Sequence, residues 1–338
     1  MVVRVELALA LLGAAIVSTA NSAGRNDDHH LHEHGFDVSS LGAWHAHNSS
    51  VALGGEELVV FVVPHTHDDP GWLQTVDSYY VSDVHWILDS VTAALGRDRS
   101  GADDDGAAGG QYPKRVFSYV EIAFFARGWA QQTARTRDAT RALVRAGRLQ
   151  FNTGGWCMGD EAAPTCAAVI NQMTEGLQFV LREFGAGAAR PRASWHVDPF
   201  GHSSSTASLW SDMGFDAFGL NRIDWREKDR RKATQELEFL WRGSTTLPGG
   251  TNQIFAHVLD SHYATPPEMG YDDKSGHGLR INTDARLPTY GLNGEQQAAA
   301  FVKMARTRSA WYRHQYLLLP FGNDFDHQVR RLRYSLPY

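Results

Sequence analysis

Apolar residues along this chain follow two rhythms. Short runs with little polar interruption fall at 58–64, 115–125, 149–152, 193–197, 217–221, 253–259 and 315–320. Runs of that length, apolar on both faces and bounded by turn residues, predict buried strands. Between them the period lengthens. At 83–95 the apolar positions are Val84, Ile87, Leu88, Val91 and Leu95, which line one face of a helix. Stretches at 137–146, 167–183 and 203–213 predict helices in the same way. Strand and helix in alternation predict an α/β domain with a largely parallel sheet. Seven strand candidates, several ending in polar or glycine-rich turns, predict a seven-stranded β/α barrel, closed or nearly so; an open doubly wound sheet is the alternative. The acidic, glycine-rich stretch 101–110 predicts an exposed loop.

The amino-terminal residues break both rhythms. Arg4 precedes an apolar stretch at 7–17, and Ser18-Thr19-Ala20, or Ala23, offers a small-residue cleavage point. This is the pattern of a secretory signal at 1–23. Its apolar core is too short for a membrane helix, which needs roughly 20 residues. Residues 24–56 are polar, with histidines at 29, 30, 32 and 34, and predict a flexible lead-in. The remainder, 57–338, is the domain proper. Asn48-Ser49-Ser50 is a glycosylation acceptor sequence consistent with the secretory route.

Composition narrows the function. A net charge of −6 with no basic tract excludes an evident nucleic-acid surface. Neither a P-loop nor a glycine fingerprint after a strand is present, so nucleotide binding has no support. Ten tryptophans and sixteen histidines suit a site for metal and a flat polar ligand. Cys157 and Cys166 are the only two cysteines, and a bridge and two buried thiols remain equally open.

The candidate chemistry sits where strands end. His67 and Asp69 follow the first run, Asp160 and Glu161 the third, and His196, Asp198 and His202 the fourth. Arg222 follows the fifth, Tyr263 lies beyond the sixth, and Asp324 follows the seventh. Polar clusters on one rim are how barrels of this kind build active sites. His67, Asp69 and Asp198 together make a nitrogen–oxygen shell for Zn²⁺. Asp198 and Asp324 can divide glycosidic chemistry between a nucleophile and an acid/base. Arg222 supplies fixed positive charge to keep a carboxylate ionised, and Trp72 offers a flat face to a sugar. His65 and Asp68 are expected to support the site, as are His196 and His202 through hydrogen bonds. Trp156, Trp210 and Trp241 are expected in the core.

Five blocks carry a resemblance: HTHDDPGW (65–72), GGWCMGDEA (154–162), SWHVDPFGHS (194–203), LEFLWRGS (237–244) and GNDF (322–325). In order and spacing they resemble glycoside hydrolase family 38, the α-mannosidases, and the lysosomal or vacuolar branch most. The resemblance implies a seven-stranded β/α barrel, one Zn²⁺ held by His67, Asp69 and Asp198, Asp198 as nucleophile and Asp324 as acid/base. It places Trp72, Phe200, Arg222 and Tyr263 around a mannose. It implies retaining removal of terminal α-mannose from N-glycan-type oligosaccharides or glycoproteins, in the lysosome, the vacuole or outside the cell.

Family members are longer, and their fourth zinc ligand is a histidine in a later block that this sequence does not contain. The resemblance fades soon after Phe325, so the expectation is a barrel truncated at its carboxyl end. Two other readings follow: a silent fragment that keeps the site residues, or a metal-dependent carbohydrate deacetylase, which would not need Asp324.

Overall fold

The computed structural model of the protein describes residues 3–6, 58–97, 115–187, 189–247, 252–269 and 293–328. The body of the expected signal, the lead-in, the acceptor Asn48 and the loop 101–110 lie outside the described residues. Val3–Glu6 (β1) is a strand paired in parallel with the next one.

The other strands fall where the apolar runs predict. They are Leu58–Pro64 (β2), Phe117–Tyr119 (β3), Leu149–Phe151 (β4), Ala193–His196 (β5), Ala217–Leu220 (β6), Gln253–Val258 (β8) and Tyr316–Phe321 (β9). Glu238–Arg242 (β7) is an addition. It was missed because it is a half-buried edge strand, without the continuous burial of the others. β7 runs antiparallel to β8, whereas all other described strand pairs are parallel.

The described strands make three small sheets, ordered β1-β2-β9, β3-β4 and β5-β6-β8-β7, and these are not closed into one ring. An isolated parallel bridge between His65 and Ser118 joins the first sheet to the second. Thr153 joins the second to the third: its N–H donates to Ala193 O at 2.9 Å, and its Oγ1 accepts from Trp195 N at 2.7 Å. The ladder stops there because Thr153 and Gly154 take left-handed backbone angles (φ 57° and 74°), which turn the chain out of the strand.

The helices are Val76–Tyr79 (α1), continued by a π turn Tyr80–Val84 into His85–Arg97 (α2), then Ile122–Gln131 (α3), Ala134–Arg145 (α4), Cys166–Phe184 (α5), Ser204–Asp212 (α6), Trp225–Thr234 (α7) and Gly294–Ser309 (α8). Thr133, Thr165 and Ser203 cap α4, α5 and α6 by accepting backbone N–H groups. The strand predicted over 115–125 is a strand only to Tyr119; its second half opens α3.

β2 shows how the layers share it. Leu58 and Val60 face a core completed by α6 and α8, with Trp210, Met304 and Leu317. Val59, Phe61 and Val63 face an inner core with Trp195, Val197, Phe255, Tyr263 and Leu318, drawn from the first and third sheets. An aromatic third core lies under α1 to α5, with Phe124, Phe125, Trp129 and Phe151. A strand buried on both faces reads as a continuous apolar run, and that is why it was legible. Trp210 is fully buried, and Trp156 and Trp241 pack against the cores as expected.

Candidate metal centre and carboxylate pair

The site begins where β2 runs out. Beyond Pro64 the chain stays extended and keeps pairing with the residues after β9: His65 N donates to Phe321 O at 3.0 Å, His67 N to Asn323 O at 3.2 Å, and Phe325 N to His67 O at 3.0 Å. The bridge between His67 and Asp324 sets these two residues side by side. The approach is so close that a Cβ on Gly322 would stand 1.9 Å from His65 O, so only glycine fits there. Phe325 then stacks on Tyr79 with ring centroids 4.3 Å apart, which anchors the turn carrying Asp324.

Across from β2, the loop after β5 brings in Asp198. His67 Nε2 lies 3.2 Å from Asp69 Oδ1 and 3.6 Å from Asp198 Oδ2. One ligand atom from each of the three residues fits within 4.8 Å of the others. On its other side, His67 Nδ1 donates to Glu121 Oε1 at 3.2 Å, and Glu121 is fully buried at the start of α3. That bond fixes the tautomer, so the lone pair of Nε2 faces two carboxylates. Nε2 is buried and has no hydrogen-bond partner. Three electron-pair donors pointed at one gap repel each other unless a cation lies between them. The residues therefore fit a divalent metal.

Without a metal, a proton serves the same purpose. Burial opposes the charged form of His67, but Asp198, Asp69 and Glu121 outweigh it and raise the imidazole well above its usual range. Metal and proton thus compete for one nitrogen. His67, with Arg222, holds the Asp198 carboxyl well below the usual carboxylate range, against the effect of burial. Arg222 reaches Asp198 Oδ1 through Nε at 3.0 Å and through Nη2. Its guanidinium also lies over the ring of Phe200, 5.5 Å from the centroid.

Tyr263 connects the two candidate catalytic carboxylates. Its hydroxyl lies 2.6 Å from Asp324 Oδ1 and 3.2 Å from Asp198 Oδ1, while its ring is buried against His65 and His67. Burial, then Asp324, pushes the phenol far up, so it stays a hydrogen-bond donor. The structure thus brings together His67, Asp69, Asp198, Arg222, Phe200, Tyr263 and Asp324. Trp72 is exposed on the turn beyond Asp69, and among the described residues no hydrogen bond or ring contact ties it to this group.

The supporting residues behave as expected. His65 donates from Nε2 to Tyr263 O at 2.8 Å, and burial lowers its pKa to about 3. Asp68 accepts from Thr66 and Tyr119, and burial and Glu121 raise its pKa to about 8. His196 and His202 bind Glu161 and not the metal group. Both cysteines are free thiols. Glu121 was missed by sequence reasoning. The signal was available: an acid inside the apolar run Phe117-Ser118-Tyr119-Val120-Glu121-Ile122 must meet a partner once buried.

An α/β domain that gathers an imidazole and two carboxylates round a cation-sized gap, with another carboxylate one hydroxyl away, has the make-up of a metal-assisted hydrolase. Residues 57–334 match the glycosyl hydrolases family 38 N-terminal domain, and the chain belongs to that family. It is 41% identical over 283 residues to "Lysosomal alpha-mannosidase" of Bos taurus, covering 80% of this chain and 26% of that protein. It is 36% identical over 291 residues to "Alpha-mannosidase" of Canavalia ensiformis, covering 83% of this chain and 28% of that protein. Among solved structures, an α-mannosidase from Enterococcus faecalis V583 shares the fold, with a TM-score of 0.54 at 16% identity, over 82% of this chain and 27% of that one. The chain thus spans about a quarter of the length of these relatives.

Proposed function

We propose that this chain carries the catalytic barrel of an α-mannosidase that removes terminal α-mannose from N-glycan-type oligosaccharides or glycoproteins. The observation that carries the reading is the meeting of the His67–Asp69–Asp198 donor group with Asp324 through one tyrosine hydroxyl. The inner core shared by β2, β5, β8 and β9 supports a seven-stranded barrel, with the site at its carboxyl rim.

The nitrogen–oxygen donor set suits Zn²⁺, with His67, Asp69 and Asp198 as ligands. When bound, the ion supplies an electrostatic hold on sugar hydroxyls next to the reacting carbon. Asp198, kept ionised by His67 and Arg222, attacks the anomeric carbon. Asp324 gives a proton to the leaving oxygen and then takes one from the incoming water. The two carboxylate oxygens can be no further apart than the 3.2 and 2.6 Å contacts of Tyr263 laid end to end. That bound covers one oxygen from each carboxylate and lies near the roughly 5–5.5 Å spacing of the carboxyl groups in retaining enzymes, which supports retention of configuration. Phe200, Trp72, Arg222 and Tyr263 line the sugar site in this reading. The lysosomal relatives, and a signal expected at 1–23, support a secretory route to lysosome or vacuole; among the described residues no helix is long and apolar enough to cross a membrane.

The test is hydrolysis of a chromogenic α-mannoside at acidic pH, with and without added Zn²⁺. Zinc-dependent release that disappears in a folded Asp198→Asn variant is the expected result. Turnover in that variant equal to wild type would refute the assignment. A folded chain that binds zinc yet releases no product would mark it as a silent fragment of such an enzyme.

A further inference from the structure

The loop that carries Asp198 is tied at both ends to one carboxylate. His196 closes β5 and His202 stands just before α6. Each donates from Nδ1 to Glu161 Oε1, at 2.9 and 2.8 Å. The N–H of Ser203, the cap of α6, donates to Glu161 Oε2 at 2.7 Å. All three side chains are buried: Glu161 is 3% exposed, His196 1% and His202 4%.

The other nitrogens of both imidazoles are buried and have no hydrogen-bond partner. His196 stands edge-on to Trp210 and Phe218, and His202 to Phe218. These rings set the planes of the imidazoles but offer them no acceptor. Glu161 is aimed in its turn by Asp160, whose carboxylate accepts the N–H groups of Glu161 and Ala163, each at 2.9 Å.

Between its two tied ends the loop is buried at Val197 and Pro199 but loose beyond them. Phe200 is 73% exposed, and Gly201 has φ 97° with open space around it. Arg222 and Tyr263 grip Asp198 through Oδ1. Oδ2 faces His67 at 3.6 Å, so its reach to that histidine depends on where the loop sets the Asp198 backbone.

We propose that Glu161 is a positioning residue: by binding His196, His202 and Ser203 together it fixes the span of residues 196–203 and points Asp198 at His67 and Asp69. The inference deepens the metal-site reading and rests on it for the purpose of the loop, not for the tie itself. Asp160 and Glu161 thereby acquire a role as a clamp built in the turn after β4, away from the reacting atoms.

The experiment compares the full chain with Glu161→Gln, His202→Phe and Asp198→Asn. It reads Zn²⁺ affinity by competition with a chromophoric chelator, and amide hydrogen exchange along the chain. Glu161→Gln keeps the side-chain volume and one acceptor, so no cavity confuses the result. The expected result is Zn²⁺ binding weakened by about tenfold at most, because Glu161 acts through the loop and not on a ligand, with faster exchange confined to 197–203 and unchanged exchange in β2 and β9. If Glu161→Gln does not fold, His202→Phe removes one of the three ties and should give the same loop-confined change at smaller size. Unchanged exchange at 197–203 in folded variants would overturn the proposal, and so would faster exchange throughout the chain. A loosened loop in Glu161→Gln, alongside wild-type zinc affinity in Asp198→Asn, would sink the metal reading and leave the clamp supported.

Discussion

Glu121 offers a sharp test of how the site is built, because its effect on metal binding and its effect on the metal-free fold differ in size. It is fully buried, accepts from His67 Nδ1, and has a second oxygen with no partner. Replacing it by Gln keeps the shape and an acceptor but removes the charge that makes His67 a better electron-pair donor. Losing such a partner behind a metal-binding histidine typically costs 10- to 100-fold in affinity, or about 1.4 to 2.8 kcal/mol. The metal-free protein should change much less. Burial already pushes the Glu121 carboxyl up, and removing the charge relieves that cost while weakening one ion pair with His67. Chelator competition at neutral pH reads the first effect, and urea unfolding of the metal-free protein reads the second. Zinc affinity unchanged within about twofold would refute the argument. A metal-free stability loss as large as the affinity loss would move the effect from the metal to the fold.

Tyr263→Phe removes the hydroxyl between Asp198 and Asp324 without disturbing a buried ring. A hydrogen bond to a charged group contributes about 1.5 to 3 kcal/mol to stability, so the unfolding free energy should fall by up to that amount, and turnover by about tenfold or more as the two carboxylates lose the hydroxyl between them. Asp324→Asn should abolish glycoside hydrolysis yet leave Zn²⁺ affinity within about twofold, since Asp324 is outside the donor group; intact turnover would favour deacetylation. Glu238 is buried between His257 and His314, at 2.7 and 2.5 Å. Burial acts against its ionisation, but the two histidines more than offset that and bring its pKa to about 2 from 4.5. A depressed carboxyl pKa stabilises the fold fully above 4.5, and that contribution is lost as pH falls towards 2. Glu238→Gln should therefore flatten the pH dependence of unfolding free energy in this window, by on the order of 3 kcal/mol. Parallel curves for variant and wild type would contradict it.

The parts of the fold that could be read from the sequence are those whose burial is simple. β2 was read to the residue because both its faces are buried, and α5 nearly so because one face is. α3 was read as strand because Ile122-Ala123-Phe124-Phe125 is apolar under either period, and the deciding event, the chain turning at Glu121, depends on a partner 54 residues away. α7 has no apolar face to read. It is held by Glu227 pairing with Arg230 and Arg231 and carries no buried residue. Of the site, His67, Asp69 and Asp198 could be proposed from residue types at strand ends. Asp324 could be proposed beside them as the second carboxylate of a glycosidic pair, but the place of Tyr263 came from a family resemblance, because nothing local links positions so far apart. Glu121 was overlooked because it acts through a histidine, and Glu161 was seen at its strand end without the two histidines it would meet.

The pairing of β2 with β9 sets a timetable for synthesis. The strand carrying His67 emerges early, but the register of 59–64 with 316–321 can form only when the last strand has left the ribosome. At about 5 to 20 residues per second, Asp324 trails Asp198 by on the order of ten seconds. Through that interval the edge of β2 that will meet β9 is an open apolar strand, able to add to any other strand it encounters. The nascent chain therefore holds His67, Asp69 and Asp198 well before Asp324 joins them, and the open edge of β2 stays exposed until Tyr316–Phe321 arrives.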